Sequence, residues 1–177
     1  PVCMASIYYV VFKKVFKVKE ENYIVFMLAG TLSWSYFAQT LTEGMESVIG
    51  NWAIISKVPM PIQVFPFVAA VTNLINYLLS LPVLFASALL TGVSFHACLI
   101  LLPLIMVPLF FLNYALGWIL GIALVYFQDL RHFISIALQI LFFLTPVLYD
   151  EAMIPARYRW LTYFNPLALY FTSIRKM

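Results

Sequence analysis

Val58–Gln128, VPMPIQVFPFVAAVTNLINYLLSLPVLFASALLTGVSFHACLILLPLIMVPLFFLNYALGWILGIALVYFQ, decides the fold. It contains no Asp, Glu, Lys or Arg. A helix needs roughly 20 apolar residues to cross a bilayer, so the run holds more than one crossing. A soluble amphipathic helix would alternate an apolar and a charged face, and nothing here does. Near the middle lies Thr91-Gly92-Val93-Ser94-Phe95-His96, a short polar turn with a Gly. The stretch therefore predicts a helical hairpin, with one span over 61–90 and a second over 97–127. Each arm is about 30 residues long, more than crossing requires, which implies tilt or helix continuing beyond the hydrocarbon.

The rest of the composition agrees. The 177 residues are 64% hydrophobic, 18% aromatic and 10% charged, with a mean hydropathy of +0.99. Average soluble chains are about 25% charged, which excludes an ordinary soluble domain. A net charge of +3, scattered along the chain, gives no basic patch for nucleic acid. Cys3 and Cys98 are lone cysteines in apolar context and form neither a metal spacing nor a disulfide framework. His96 and His132 are also single and read as structural.

Outward from the hairpin, residues 1–12 read as the tail of a span, since twelve apolar residues are too few to cross. A charged connector, Lys13 to Glu21, follows. Residues 22–42 make one span, whose second half carries Trp34, Tyr36 and Phe37. These are side chains that favour an interface or a protein-lined cavity over plain lipid. Over 43–60, Glu43, Glu46 and Lys57 alternate with Val48, Trp52 and Ile55. That stripe predicts an amphipathic helix lying on the membrane or docked on a partner, ended by Pro59 and Pro61. Gly117-x-x-x-Gly121 permits close helix approach and predicts packing within one subunit. Asp129 and Arg131 mark a membrane boundary and a tight loop, because charges are costly at bilayer depth. Residues 133–149 form a further short span. Residues 150–177, with charges, aromatics and prolines, read as short helices at a membrane face.

Taken in order, Ser56-Lys57-Val58 with Pro61, then Tyr126-Phe127-Gln128-Asp129-Leu130-Arg131, then Phe142-Phe143-Leu144-Thr145-Pro146-Val147-Leu148-Tyr149, then Asn165-Pro166-Leu167 with Arg175 resemble the membrane subunit of ABC-type polysaccharide and polyol-phosphate exporters. These systems move O-antigens, capsules and teichoic acids. The resemblance covers essentially the whole chain. It implies an all-α, polytopic membrane bundle of the ABC type-2 export permease kind, a single transmembrane domain over 1–177. The family has six spans and an N-terminal amphipathic helix, so the chain is expected to be truncated at both ends.

The resemblance further implies a permease that moves a lipid-linked glycan across the bacterial cytoplasmic membrane, works as a homodimer, and couples to a cognate ATP-binding subunit. ATP and Mg would belong to that subunit, with no cofactor or metal on this chain. Glu43, Glu46, Trp52, Ile55 and Lys57 would form the coupling segment, with Asp129 and Arg131 in a second cytoplasmic loop. Lys13–Glu21 and Asp150–Met177 would lie outside. Basic residues, which normally favour the inner side, are more numerous in those outer segments. The family orientation is adopted because the first, N-terminal signal usually dominates. Trp34, Tyr36, Phe37, Tyr114 and Trp118 are expected to line a channel for the polymer, stacking on the apolar faces of sugar rings; an aromatic anchoring belt is the alternative.

Two other classes compete. An ion-coupled secondary carrier would need intramembrane charges, and the 58–128 run has none. A membrane enzyme acting on lipid-linked sugars would need a constellation of acid, base and nucleophile, and Asp150-Glu151 with no adjacent His is a poor candidate. No phosphate-binding loop of the G-x-x-x-x-G-K-[ST] kind occurs, so the chain is read as not itself an enzyme.

Overall fold

The structure is a computed structural model that describes residues 23–91 and 102–145, with side chains described for 28–86 and 106–145. Among the described residues every regular element is an α-helix: α1 (Tyr23–Gly50), α2 (Trp52–Ile55), α3 (Val64–Thr91), α4 (Leu102–Tyr126) and α5 (Leu130–Leu144). Val64–Ala86 in α3 and Met106–Tyr126 in α4 are long and apolar enough to cross a membrane. They fall within the two stretches, 61–90 and 97–127, expected to be the arms of a hairpin. Residues 92–101, which hold the expected turn, lie outside the described residues, as do 1–22 and 146–177.

The expected boundary at Thr42 is corrected. Helix α1 runs unbroken through the charged segment to Gly50, because Glu43, Glu46 and Ser47 change the polarity of a helix without interrupting its hydrogen bonds. It ends where Asn51 folds back, with its backbone N–H and its Nδ2 both donating to the Ser47 carbonyl, at 3.3 and 2.8 Å. The side chain adds a second donor to one of the last carbonyls of the helix, where intrahelical donors run out. The expected amphipathic helix over 43–60 is thereby divided. Its first half is the last two turns of α1, and only the single turn α2 stands apart, before Pro59 and Pro61.

The chain divides into two compact units. Unit 1 includes residues 23–34 of α1, the part of α3 from Tyr77 onward, and the end of α5. In it the Ser33 hydroxyl meets the Tyr77 hydroxyl at 3.2 Å and also donates to the Ala29 carbonyl at 2.8 Å. Unit 2 comprises Ser35–Asn76 and Pro103–Phe142. Its core is Phe37, Leu41, Met45 and Val48 from α1, Ala70 from α3, and Met106, Leu109 and Leu124 from α4. Hydroxyls along α1 donate to carbonyls a turn earlier, as Thr42 does to Ala38 at 2.8 Å and Ser47 to Gly44 at 2.7 Å. Such local bonds satisfy polar groups where water is scarce. Pro82 in α3 and Pro108 in α4 sit within continuous helix, which membrane helices tolerate more readily than soluble ones.

Candidate functional site

The site grows from a contact between two glycines in unit 2. A Cβ placed on Gly44 of α1 would lie 3.3 Å from Cα of Gly117 on α4, and one placed on Gly117 would lie 3.3 Å from Cα of Gly44. One turn on, a Cβ on Gly121 would lie 2.8 Å from Val48 Cγ2 and 3.3 Å from the Met45 carbonyl oxygen. Missing side chains let the two backbones touch, which is how small residues bring membrane helices together. The Gly117-x-x-x-Gly121 motif therefore packs within the subunit, as its sequence context predicts.

These contacts fix direction and register. Gly44 meets Gly117 and Val48 meets Gly121, so α1 and α4 run parallel with a constant offset. Continued one turn back, the offset places Thr40 level with Asn113. Both are buried, and neither Thr40 Oγ1 nor the Asn113 amide atoms have a hydrogen-bond partner. Continued along α1, it places Ser35, Gln39 and Glu43 level with Pro108, Leu112 and Leu116. Glu43 thus lies beside the middle of the apolar segment Met106–Tyr126. A carboxylate at the centre of a bilayer costs on the order of 3 kcal/mol on insertion scales, and such groups face a bundle interior or a water-filled cavity.

Glu43 is oriented. Asn73 Nδ2 on α3 donates to Glu43 Oε2 at 2.6 Å and also to the Ala69 carbonyl at 3.1 Å. Asn73 is 3% exposed, so a buried amide holds one carboxylate oxygen while the Glu43 residue itself remains exposed. Glu46, a turn further, pairs with Arg131 Nε at 2.9 Å, both side chains being about half exposed. This pair joins the two segments that sequence assigned to one membrane face, the end of α1 and the first turn of α5. An exposed pair of this kind contributes about 0–1 kcal/mol, so its value is positional.

The remaining expected site residues divide. Trp52 is 52% exposed in α2, with Ile54 also exposed and Ile55 partly so. Lys57 and Asp129 are exposed beyond the helix ends. Tyr36 and Phe37 are each 3% exposed. Both belong to the buried core of unit 2. Tyr114 and Trp118 are partly buried, and the Tyr114 ring meets the edge of Phe67 at 5.6 Å. Phe67 also packs on Phe110 at 5.9 Å, so this aromatic group ties α3 to α4. Trp34 is partly buried in unit 1.

Sequence reading missed Ser35, Gln39, Thr40, Asn73 and Asn113. The available signal was polar residues at a spacing of four, Ser35, Gln39 and Glu43, which share one helix face. Among the described residues, no group of three or more His, Cys, Asp or Glu side chains could hold a metal.

The ABC-2 type transporter family matches residues 1–177. Two proteins of Klebsiella pneumoniae named O-antigen export system permease protein RfbA are 31% and 30% identical over 178 aligned positions, covering all of this chain and 69% of each relative. A protein of the same name from Myxococcus xanthus is 32% identical over 154 positions, covering 87% of this chain and 59% of that relative. The match over residues 1–177 and the identity with these relatives lead to one conclusion: the chain belongs to the ABC-2 type transporter family.

Proposed function

We propose that the chain is the membrane-spanning permease subunit of an ATP-driven exporter that moves a lipid-linked polysaccharide or polyol-phosphate polymer across the bacterial cytoplasmic membrane. The observation that carries this reading is the match to the family over the whole chain, together with relatives named as O-antigen export permeases. The transporter is completed by a separate subunit that binds ATP and Mg, and by a second copy of the permease. A bundle whose exposed faces are so largely apolar (Phe111, Ile119, Leu79 and Phe143 among them) fits the lipid bilayer as its solvent.

Coupling falls to α2 and the ends beside it. Trp52 and Ile54, followed in the same segment by the exposed Val58 and Met60, leave apolar side chains projecting among Asn51, Ser56 and Lys57, suited to a groove on the ATPase. An aromatic anchor in such a groove is the usual centre of binding energy. The Glu46–Arg131 pair links the end of α1 to α5, which gives movement at α2 a route into two helices.

The test is Trp52→Ala in the full-length permease, expressed with its ATPase. Export and co-purification of the ATPase should fall together while membrane insertion is unchanged. A complex that forms normally with that variant would remove α2 as the docking element. A permease that exports no glycan with either sequence would remove the polymer as cargo.

A further inference from the structure

We infer that the Ser35–Gln39–Glu43 face of α1 lines a hydrated translocation path, with Glu43 held in place by Asn73, and that its charge suits a neutral polyhydroxyl polymer rather than a polyanionic one. The inference rests on the permease reading and narrows its cargo.

Two helices at the same level present contrasting surfaces. In unit 2, every exposed residue of α1 is Ser35, Gln39, Glu43 or Gly50, and none is apolar. The exposed residues of α4 alongside it are Val107, Pro108, Phe111, Ala115, Ile119, Ile122, Val125 and Tyr126. The glycine contacts at Gly44–Gly117 and Val48–Gly121 place both faces at one depth. One solvent cannot suit both. Hydrocarbon matches the α4 face and would leave the amide of Gln39 and the second carboxylate oxygen of Glu43 without hydrogen bonds, whereas ionisable groups in spans turn to water-filled cavities or to protein. The spacing of four residues stacks the three side chains into one continuous stripe, the form of a track rather than of a single pocket.

The chemistry indicates what the track meets. Hydroxyl, amide and carboxylate offer donors and acceptors that exchange readily with water and with sugar hydroxyls. Asn73 occupies one oxygen of Glu43 at 2.6 Å and leaves the other for a passing hydroxyl donor. A phosphate on the cargo would instead meet a like charge in a setting where screening is weaker than in bulk water. The buried Asn73 holds this group at a set position on the wall, so the polymer does not have to order it.

The experiment needs no exported polymer. In the full-length permease assembled with its ATPase in membrane vesicles, with Cys3 and Cys98 replaced, single cysteines are placed by Ser35→Cys and Gln39→Cys. Phe111→Cys and Ile119→Cys serve as lipid-facing references. Both α1 cysteines should react with charged, water-soluble methanethiosulfonate reagents several-fold faster than either reference. Rates no higher than the references would overturn the path, and would mean that lipid or another protein element covers this face. At Gln39→Cys, the ratio of the rate with the trimethylammonium reagent to that with the sulfonate reagent should fall several-fold when Glu43→Gln is added. An unchanged ratio would overturn the preference for neutral cargo. Fast labelling in a permease that exports no glycan would refute the cargo and leave the hydrated path standing.

Discussion

Adding one methyl group at Gly121 tests the seam on which every depth assignment depends. In Gly121→Ala the new Cβ would lie 2.8 Å from Val48 Cγ2, against an optimum of about 3.5–4.0 Å between carbon atoms. Roughly 0.7 Å must therefore open. Val48 is 1% exposed, and a β-branched side chain in a helix has one strongly preferred rotamer, so it cannot swing aside. The backbones must part instead, and the Gly44–Gly117 contact one turn away loosens with them. Overpacking of this kind costs about 1–3 kcal/mol. The helix propensity gained by replacing Gly with Ala returns about 1 kcal/mol, leaving a net loss of about 0–2 kcal/mol. Val48→Ala alone leaves a small cavity and costs about 1–2 kcal/mol by comparison with other single-step truncations. In the double variant the clashing Cγ2 is gone and the new methyl fills part of the space. The pair should then be more stable than the sum of the two changes by about 1–2 kcal/mol, within the range seen for residues in contact. The assay is reversible unfolding of the purified full-length permease in mixed micelles at increasing SDS fraction. Additivity within about 0.5 kcal/mol would refute the α1–α4 register, and with it the placement of Glu43 at mid-span.

Three further outcomes follow from the same geometry. Thr40→Val keeps the shape of a buried side chain whose hydroxyl has no partner, so it should be neutral or stabilising by up to about 1 kcal/mol; a clear loss in the same unfolding assay would show that the hydroxyl is bonded in the membrane. Arg131→Ala should cost no more than about 1 kcal/mol, and exchanging Glu46 and Arg131 for each other should restore export if position rather than energy is what the pair supplies, which a vesicle export assay reads directly. Cysteines at Ser47 and Gln128 should both be labelled from the cytoplasmic side only, and labelling from opposite sides would contradict the parallel course of α1 and α4.

Much of this protein is written in local sequence. The charge-free run from Val58 to Gln128 fixes two apolar helices because an unbroken apolar segment of this length satisfies its own backbone in hydrocarbon only by coiling into a helix. Gly117 and Gly121, four apart, announce a close helix contact, and the ordered motifs from Ser56 to Pro166 carry the family resemblance. What remained hidden involved partners distant in the chain. Polar residues between Glu43 and Gly50 gave the look of a separate surface helix, yet nothing local stops α1 before Asn51. Trp34, Tyr36 and Phe37 drew attention as a group, although neighbours in sequence point to different sides of a helix. Whether Tyr36 or Ser35 is exposed depends on where α1 rests, and that is decided by Gly44 meeting Gly117, a contact across more than seventy residues. The same contact sets Glu43 beside the middle of α4 and within reach of Asn73. Sequence determined that these helices form and that they pack closely; only the tertiary register, set by where two side-chain-free surfaces allow backbones to touch, decided which face of α1 is left to meet water.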